Sequence, residues 1–171
     1  MPARLDWRGS LPDTARPLRG WLTEAGSLTA RCQRHCREFR VRVLAQGRCP
    51  ALADETARGR PPVREVLLEC DGVPVIFAES VLSGSRCGRL GRWFARLGSR
   101  SLGSLLFIHR GFRRGDIEFV RLRPRDALHH RVCVVLGRPL PALWARRSRH
   151  HLDGGSVLVT EVFLPAILGL V

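Results

Sequence analysis

The chain has 171 residues and a net charge of +14, with 44% hydrophobic and 26% charged residues. That length suffices for one domain, 1–171, which buries roughly 70% of the surface its unfolded chain exposes, so folding needs neither disulfides nor metals. The composition excludes a disordered chain. The longest weakly interrupted apolar stretch, 162–171, is about half of the roughly 20 residues a membrane-spanning helix needs.

The charge invites a nucleic-acid reading but needs discounting. All 29 basic residues are arginine, and lysine, asparagine and tyrosine are absent. Those three residues have AT-rich codons, so a GC-rich coding sequence explains the pattern without a selected partner. The arginines are also scattered rather than gathered into a tail or stripe. Cysteines stand at 32, 36, 49, 70, 87 and 133. The first eight residues carry no apolar signal segment, so a reduced, cytoplasmic setting is expected. Cys32-Gln33-Arg34-His35-Cys36 holds three ligand types, but no second pair at zinc-ribbon spacing follows, and unliganded residues at a helix end are expected.

In chain order, residues 1–17 read as a poorly ordered extension. Residues 18–24 read as a short helix behind Pro17, broken by Gly26. Ser27 offers an N-cap for a second helix through Leu28, Arg31 and Cys32. Residues 39–44 alternate apolar and charged, the pattern of a half-buried strand, and 47–63 read as a loop. Residues 64–70 and 73–82 flank Asp71-Gly72, a hairpin signal because a type I′ turn needs positive φ at both central positions. Leu90, Trp93, Phe94 and Leu97 make one helical face, and a shorter helix is expected at 101–107. A strand at 116–122, a helix at 126–136 ended by Gly137, and a hairpin of 143–152 with 156–164 complete the chain. The order predicts an α+β fold, a single antiparallel β-sheet with helices packed on it.

Two strands carry a lone charge in an apolar row. Arg64 shares parity with Val66, Leu68 and Cys70, and Glu161 with Val157, Val159 and Phe163. A buried charge costs several kcal/mol unless paired. The two groups can form an internal salt bridge with each other. Alternatively they flank a cavity for a ligand that is anionic at one end and hydroxylated at the other, since a guanidinium grips a carboxylate bidentately.

At these residues the chain resembles the chorismate lyases, small enzymes of bacterial ubiquinone synthesis. The match runs through Ser27-Leu28-Thr29, Arg64-Glu65-Val66-Leu67-Leu68, Leu102-Gly103 with Leu106-Phe107, Leu143-Trp144-Ala145-Arg146-Arg147-Ser148, and Leu158 to Pro165, covering about residues 18 to 166. The resemblance implies conversion of chorismate to 4-hydroxybenzoate and pyruvate, the first committed step of ubiquinone biosynthesis, without cofactor or metal. It also implies helices closing an internal ligand cavity. Arg64 matches the family's ligand-contact arginine and Glu161 its essential acid, so these are the catalytic candidates. Leu28 and Leu102 match two apolar ligand contacts.

Chorismate carries a second carboxylate, for which Arg31 is one candidate. Of Arg146 and Arg147, alternation lets at most one face the cavity. The histidine pairs 129/130 and 150/151 read as surface residues, and Glu79, if it faced the cavity, would repel a dianion. Two rival readings are a non-catalytic small-molecule-binding domain of the same fold and a basic nucleic-acid-binding module. Against the first, 17 residues before the first helix leave no room for an upstream DNA-binding domain. Against the second, the aromatics do not alternate with basic residues as a stacking platform would. The expected partner is therefore the small molecule chorismate and no nucleic acid, with the chain a monomer. Transient contact of the apolar end with a membrane surface is kept open.

Overall fold

The computed structural model describes residues 4–54, 56–84 and 88–170. Cys87 and Val171 lie outside the described residues. The strands are β1 (Phe39–Arg48), β2 (Pro62–Cys70), β3 (Val73–Ser83), β4 (Arg113–Arg114), β5 (Glu118–Leu122), β6 (Leu143–Leu152) and β7 (Gly155–Phe163). They form one antiparallel sheet in the order β1-β2-β3-β7-β6-β4, with β5 also along β6.

Two Asp-Gly turns set the register. Asp71 and Gly72 have φ 50° and 78°, and Asp153 and Gly154 have φ 48° and 75°, the left-handed pair that a type I′ turn demands. Asp71 also accepts from the backbone N–H of Arg37 and Glu38, which fixes the entry to β1. Pro74 stands opposite Glu69 beside a register shift, where a missing N–H is tolerated.

Of the helices, α2 (Leu28–His35) begins where expected, with Ser27 Oγ accepting from Ala30 N at 3.2 Å. The single helix read at 18–24 is instead a 3-10 turn, Asp13–Leu18, running into the short α1 (Arg19–Leu22). Pro17 sits inside the turn. Next come α3 (Arg89–Ala95) and α4 (Leu102–Ile108), then α5 (Ala127–Leu136), which Gly137 ends at φ 66°. The N-terminal segment read as a loose extension lies against the sheet, because Arg8 and Phe119 exchange backbone hydrogen bonds of 2.9 and 2.7 Å.

Both sheet faces are covered. On one, α1 to α4 and a final 3-10 turn, Pro165–Gly169, pack over the even residues of β2 and β3 and the odd residues of β7. On the other, α5 and the loop before β2 cover Leu67, Phe77, Ala145 and Val162. Exposed strands of alternating pattern would leave one face wet. Here β2, β3 and β7 are buried on both faces, which explains their near-continuous apolar runs.

The histidine expectation needs correcting. His129 is buried, its Nε2 2.7 Å from the Pro141 carbonyl oxygen, and His150 is buried on the α2 face. Only His130 and His151 are exposed. Neighbouring residues point apart on both a helix and a strand, so each pair contributes one interior ring.

Candidate functional site: a polar seam under α2 and α4

The core on the α2 face divides into two apolar clusters. One holds Leu28, Val66, Leu68, Ala78 and Phe163, and the other Leu82, Leu102, Leu106, Val157 and Val159. Polar residues run between them. Strand pairing places Arg64, Ser80, Val159 and Ser148 in one cross-sheet row, and Val66, Ala78, Glu161 and Arg146 in the next. Arg64 and Glu161 therefore share a face, two strands and one pleat apart. Ideal strand spacing makes that about 12 Å between their α-carbons. The floor between them consists of Ala78, Ser80 and Val159, small side chains under the helices that carry Leu28 and Leu102.

The two charges do not pair with each other. Arg64 is 1% exposed, and its Nη2 donates to the carbonyls of Gly98 (2.9 Å) and Arg100 (2.8 Å) in the α3–α4 connection. Its Nε is buried with no hydrogen-bond partner among the described residues. Burial alone lowers its pKa, a sign that this cation sits in a desolvated place. Glu161 Oε2 instead accepts from Arg146 Nε at 2.7 Å. Arg146 Nη1 donates onward to the carbonyls of Leu22 (3.2 Å) and Glu24 (2.6 Å), fastening the chain between α1 and α2 over the seam.

The predicted apolar contacts fall on either side of this seam. Leu28 is 2% exposed and Leu102 5%, in the first turns of α2 and α4. Thr29 and Ser101 hydroxyls share a hydrogen bond, so the two helix starts meet. A side chain at Gly103 would lie 3.7 Å from Ser27 Oγ and Thr29 Oγ1, ordinary contact, so these helix starts are packed together.

Alternation assigns the remaining candidates. Arg146 enters the seam, whereas Arg147 points to the opposite face, bonded to Glu118 and the Ala53 carbonyl over the Trp7 ring. Arg31 is engaged elsewhere, paired with Glu24 at 3.2 Å, bonded to the Gly20 carbonyl and stacked on Trp21. Glu79 stands opposite Glu65 and Thr160 on the α5 face, so it does not confront a ligand in the seam. Its carboxylate accepts from the backbone N–H of Leu52 and Ala53, and burial pushes its pKa up to about 7.

Sequence reading missed Arg114, Ser80, Ser148 and His150. Arg114 Nε donates to Ser148 Oγ (3.1 Å) and its Nη1 to the Ala25 carbonyl (2.8 Å), and Ser148 Oγ lies 3.3 Å from His150 Nε2. Parity in β6 puts Arg146, Ser148 and His150 on one face, but its other face is polar too, which hides the row. Arg114 lies in a two-residue strand, too short for any period.

A cleft of about 560 Å³ lies between the N-terminal segment and β5, lined by Arg4, Arg8, Arg121, Arg123 and Arg125 with Asp6 and Asp126. It contains neither Arg64 nor Glu161, and it opens to solvent; the buried seam is the better candidate. The described residues hold no group of three or more His, Cys, Asp or Glu side chains placed to bind a metal. Cys32 is buried, with its thiol pushed up to about 12 by burial, and Cys36 caps its carbonyl.

This arrangement meets a sequence profile that matches residues 2–169, that of chorismate lyase. The chain belongs to the chorismate lyase family. Among chorismate lyase relatives, a "probable chorismate pyruvate-lyase" of Dechloromonas aromatica (strain RCB) is 60% identical over 155 residues, 88% of each chain. Another protein so named, from Azoarcus sp. (strain BH72), is 46% identical over 176 residues, covering 96% of this chain and 93% of that one. Among solved structures, the effector domain of PhnF from Mycobacterium smegmatis superposes with a TM-score of 0.52 at 14% identity, over 82% of this chain and 89% of that one. The C-terminal domain of a histidine utilization repressor from Pseudomonas syringae pv. tomato gives 0.50 at 10% identity, over 75% and 93%. At such identities the likeness is one of fold alone.

Proposed function

We propose that the chain converts chorismate to 4-hydroxybenzoate and pyruvate, without cofactor or metal, as the first committed step toward ubiquinone. It would work as a monomer in the cytoplasm, through one domain spanning residues 1–171. The observation that supports this reading is the pair Arg64, buried, and Glu161, half-buried, on one sheet face with a floor of small residues between them. One para-substituted ring with the two side chains spans such a separation. Arg64 takes the ring carboxylate through its fork, Glu161 accepts from the para hydroxyl, and Leu28 and Leu102 bracket the ring faces.

The chemistry asks little more of the protein. The carbon bearing the hydroxyl loses its hydrogen, the neighbouring ether C–O bond breaks, and the ring becomes aromatic. The departing enolpyruvate gains one proton at its methylene carbon and becomes pyruvate. Aromatisation drives the reaction, so the seam orients the substrate and stabilises charge in a desolvated place. Because Arg64 and Leu102 are buried, a ligand reaches them when the 98–101 segment moves aside.

The test is incubation of the purified protein with chorismate. Equal amounts of 4-hydroxybenzoate and pyruvate are expected. Binding of 4-hydroxybenzoate without turnover would point to a binding module, and formation of neither product would overturn the proposal.

A further inference from the structure

The arginines are scattered along the chain, but the acids leave a gap. Between Ser80 and Gly115 stand eight arginines and no acid, so this stretch carries more than half of the net charge of +14. It runs from the end of β3 through α3, α4 and β4, and its helices are among those that roof the seam.

On α3 the arginines share one side. Arg89, Arg92 and Arg96 follow at intervals of three and four and are exposed, whereas Leu90, Phe94 and Leu97 are buried. Arg100 joins them from the connection to α4. The four line a solvent-open groove of about 340 Å³, whose apolar wall includes Trp93 and Leu105. Arg89 is compensated by Asp153 at 3.8 Å. The guanidiniums of Arg96 and Arg100 make no hydrogen bond or ion pair among the described residues.

This groove lies at the way in. Arg64 holds the carbonyl oxygens of Gly98 and Arg100 at 2.9 and 2.8 Å, so the backbone that carries the Arg100 side chain also covers the buried cation. Gly98, Ser99 and Arg100 are exposed, and a ligand bound for Arg64 passes them. Like charges lining a cleft with apolar walls focus the field and concentrate counter-ions there. Chorismate is a dianion and 4-hydroxybenzoate a monoanion, so the same field pulls twice as hard on the substrate as on the product.

We infer that Arg96 and Arg100 form an electrostatic funnel at the mouth of the seam, which speeds the arrival of the dicarboxylate substrate and favours it over the monocarboxylate product. The inference rests on the lyase reading. It assigns the two arginines to capture, so they act on association and not on dissociation.

Stopped-flow binding tests it with two stable ligands, 4-hydroxybenzoate and 3-(carboxymethoxy)-4-hydroxybenzoate, a dicarboxylate with its second acid on an ether arm. At low salt, Arg96→Gln combined with Arg100→Gln is expected to slow association of the dicarboxylate about tenfold and of the monocarboxylate about threefold. At about 0.5 M salt the variant should return to within about twofold of wild type, because screening then acts within about 4 Å. Dissociation rates should stay within about twofold throughout. Ser99→Asp, which removes no arginine, should slow association in the same order, and it reads the field even if the double variant does not fold. Arg121 stands opposite Trp144 near the start of β6, whereas α3 packs on Leu152 at its end. Arg121→Gln with Arg123→Gln, an equal loss of charge far from the groove, should therefore leave association within about twofold. A loss no larger than in this control, a loss that survives high salt, or one seen in dissociation alone overturns the inference. A wild-type protein that binds neither ligand, or leaves chorismate unconverted, would instead sink the lyase reading, and this inference with it.

Discussion

Arg64 holds the carbonyl of Gly98 at 2.9 Å, so the cation proposed to grip a ligand also fastens the connection between α3 and α4. The planar fork permits both, because separate N–H groups serve the loop and the ligand. A lysine keeps the charge but offers one compact ammonium. Arg64→Lys is therefore expected to weaken 4-hydroxybenzoate by about tenfold or more, measured by calorimetry. An unchanged Kd would remove the bidentate contact from the account.

Glu161→Gln keeps the shape of the side chain and removes its charge. Arg146 would then face a neutral amide, and the substrate hydroxyl would lose its carboxylate acceptor. Steady-state kinetics should show kcat reduced about 100-fold or more. Near-normal turnover would exclude Glu161 from the chemistry.

Glu79 gives a pH signature on the opposite face. Its folded pKa is raised from 4.5 to about 7 by burial, so between those values the folded state binds more protons than the unfolded one. Stability from this residue is then present below pH 4.5 and lost as pH rises through 7, by about 3 kcal/mol at most. His150 has the opposite sign, losing stability as pH falls from 6.5 toward 4. Comparing wild type with Glu79→Gln cancels the histidine. Urea unfolding at pH 5 and pH 8 should show the variant gaining on wild type at the higher pH; a pH-independent difference would contradict the raised pKa of Glu79.

Leu67 is fully buried on the α5 face among Phe77, Val162 and Leu128. Leu67→Ala should cost about 2–5 kcal/mol through the cavity it leaves. Because the sheet stands between Leu67 and the seam, the folded variant's kcat should stay near wild type. A large loss of kcat without loss of stability would mean that the two faces are coupled.

Ser27 caps α2 just ahead of Leu28, and Ser27→Ala should cost about 1 kcal/mol in chemical denaturation. A fall in ligand affinity beyond that of a Leu28-neutral control would show that the cap also positions the leucine.

Local chemistry made much of this fold readable. Asp71-Gly72 and Asp153-Gly154 announce their hairpins, Ser27 its helix, and Gly137 the end of α5, because each answers a backbone requirement within a few residues. Parity was equally direct: it set Arg64 and Glu161 each in the apolar row of its own strand and separated Arg146 from Arg147, while the register that puts Arg64 and Glu161 on one face came from the strand pairing. Long-range partners were not readable. Nothing near Arg64 in the chain says that Gly98 and Arg100 supply its carbonyls, and nothing near Glu79 points to the amides of Leu52 and Ala53. Arg8 pairs with Phe119 across more than a hundred residues, so local composition could not reveal that the N-terminal segment is fastened. Buried histidines were missed because a lone polar side chain looks exposed until its acceptor, here the Pro141 carbonyl for His129, is known.

Arg64 and Glu161 each have a chain neighbour of contrasting chemistry whose side chain leaves through the other surface of the sheet: Glu65 after Arg64, Thr160 before Glu161. Slipping β2 by a single residue would exchange Arg64 for Glu65 and reverse the sign of that wall. The backbone layer thus acts as a partition: the ion pairs of Glu65 with Arg131 and of Glu118 with Arg147 are made beyond it, out of reach of the side chains of the seam.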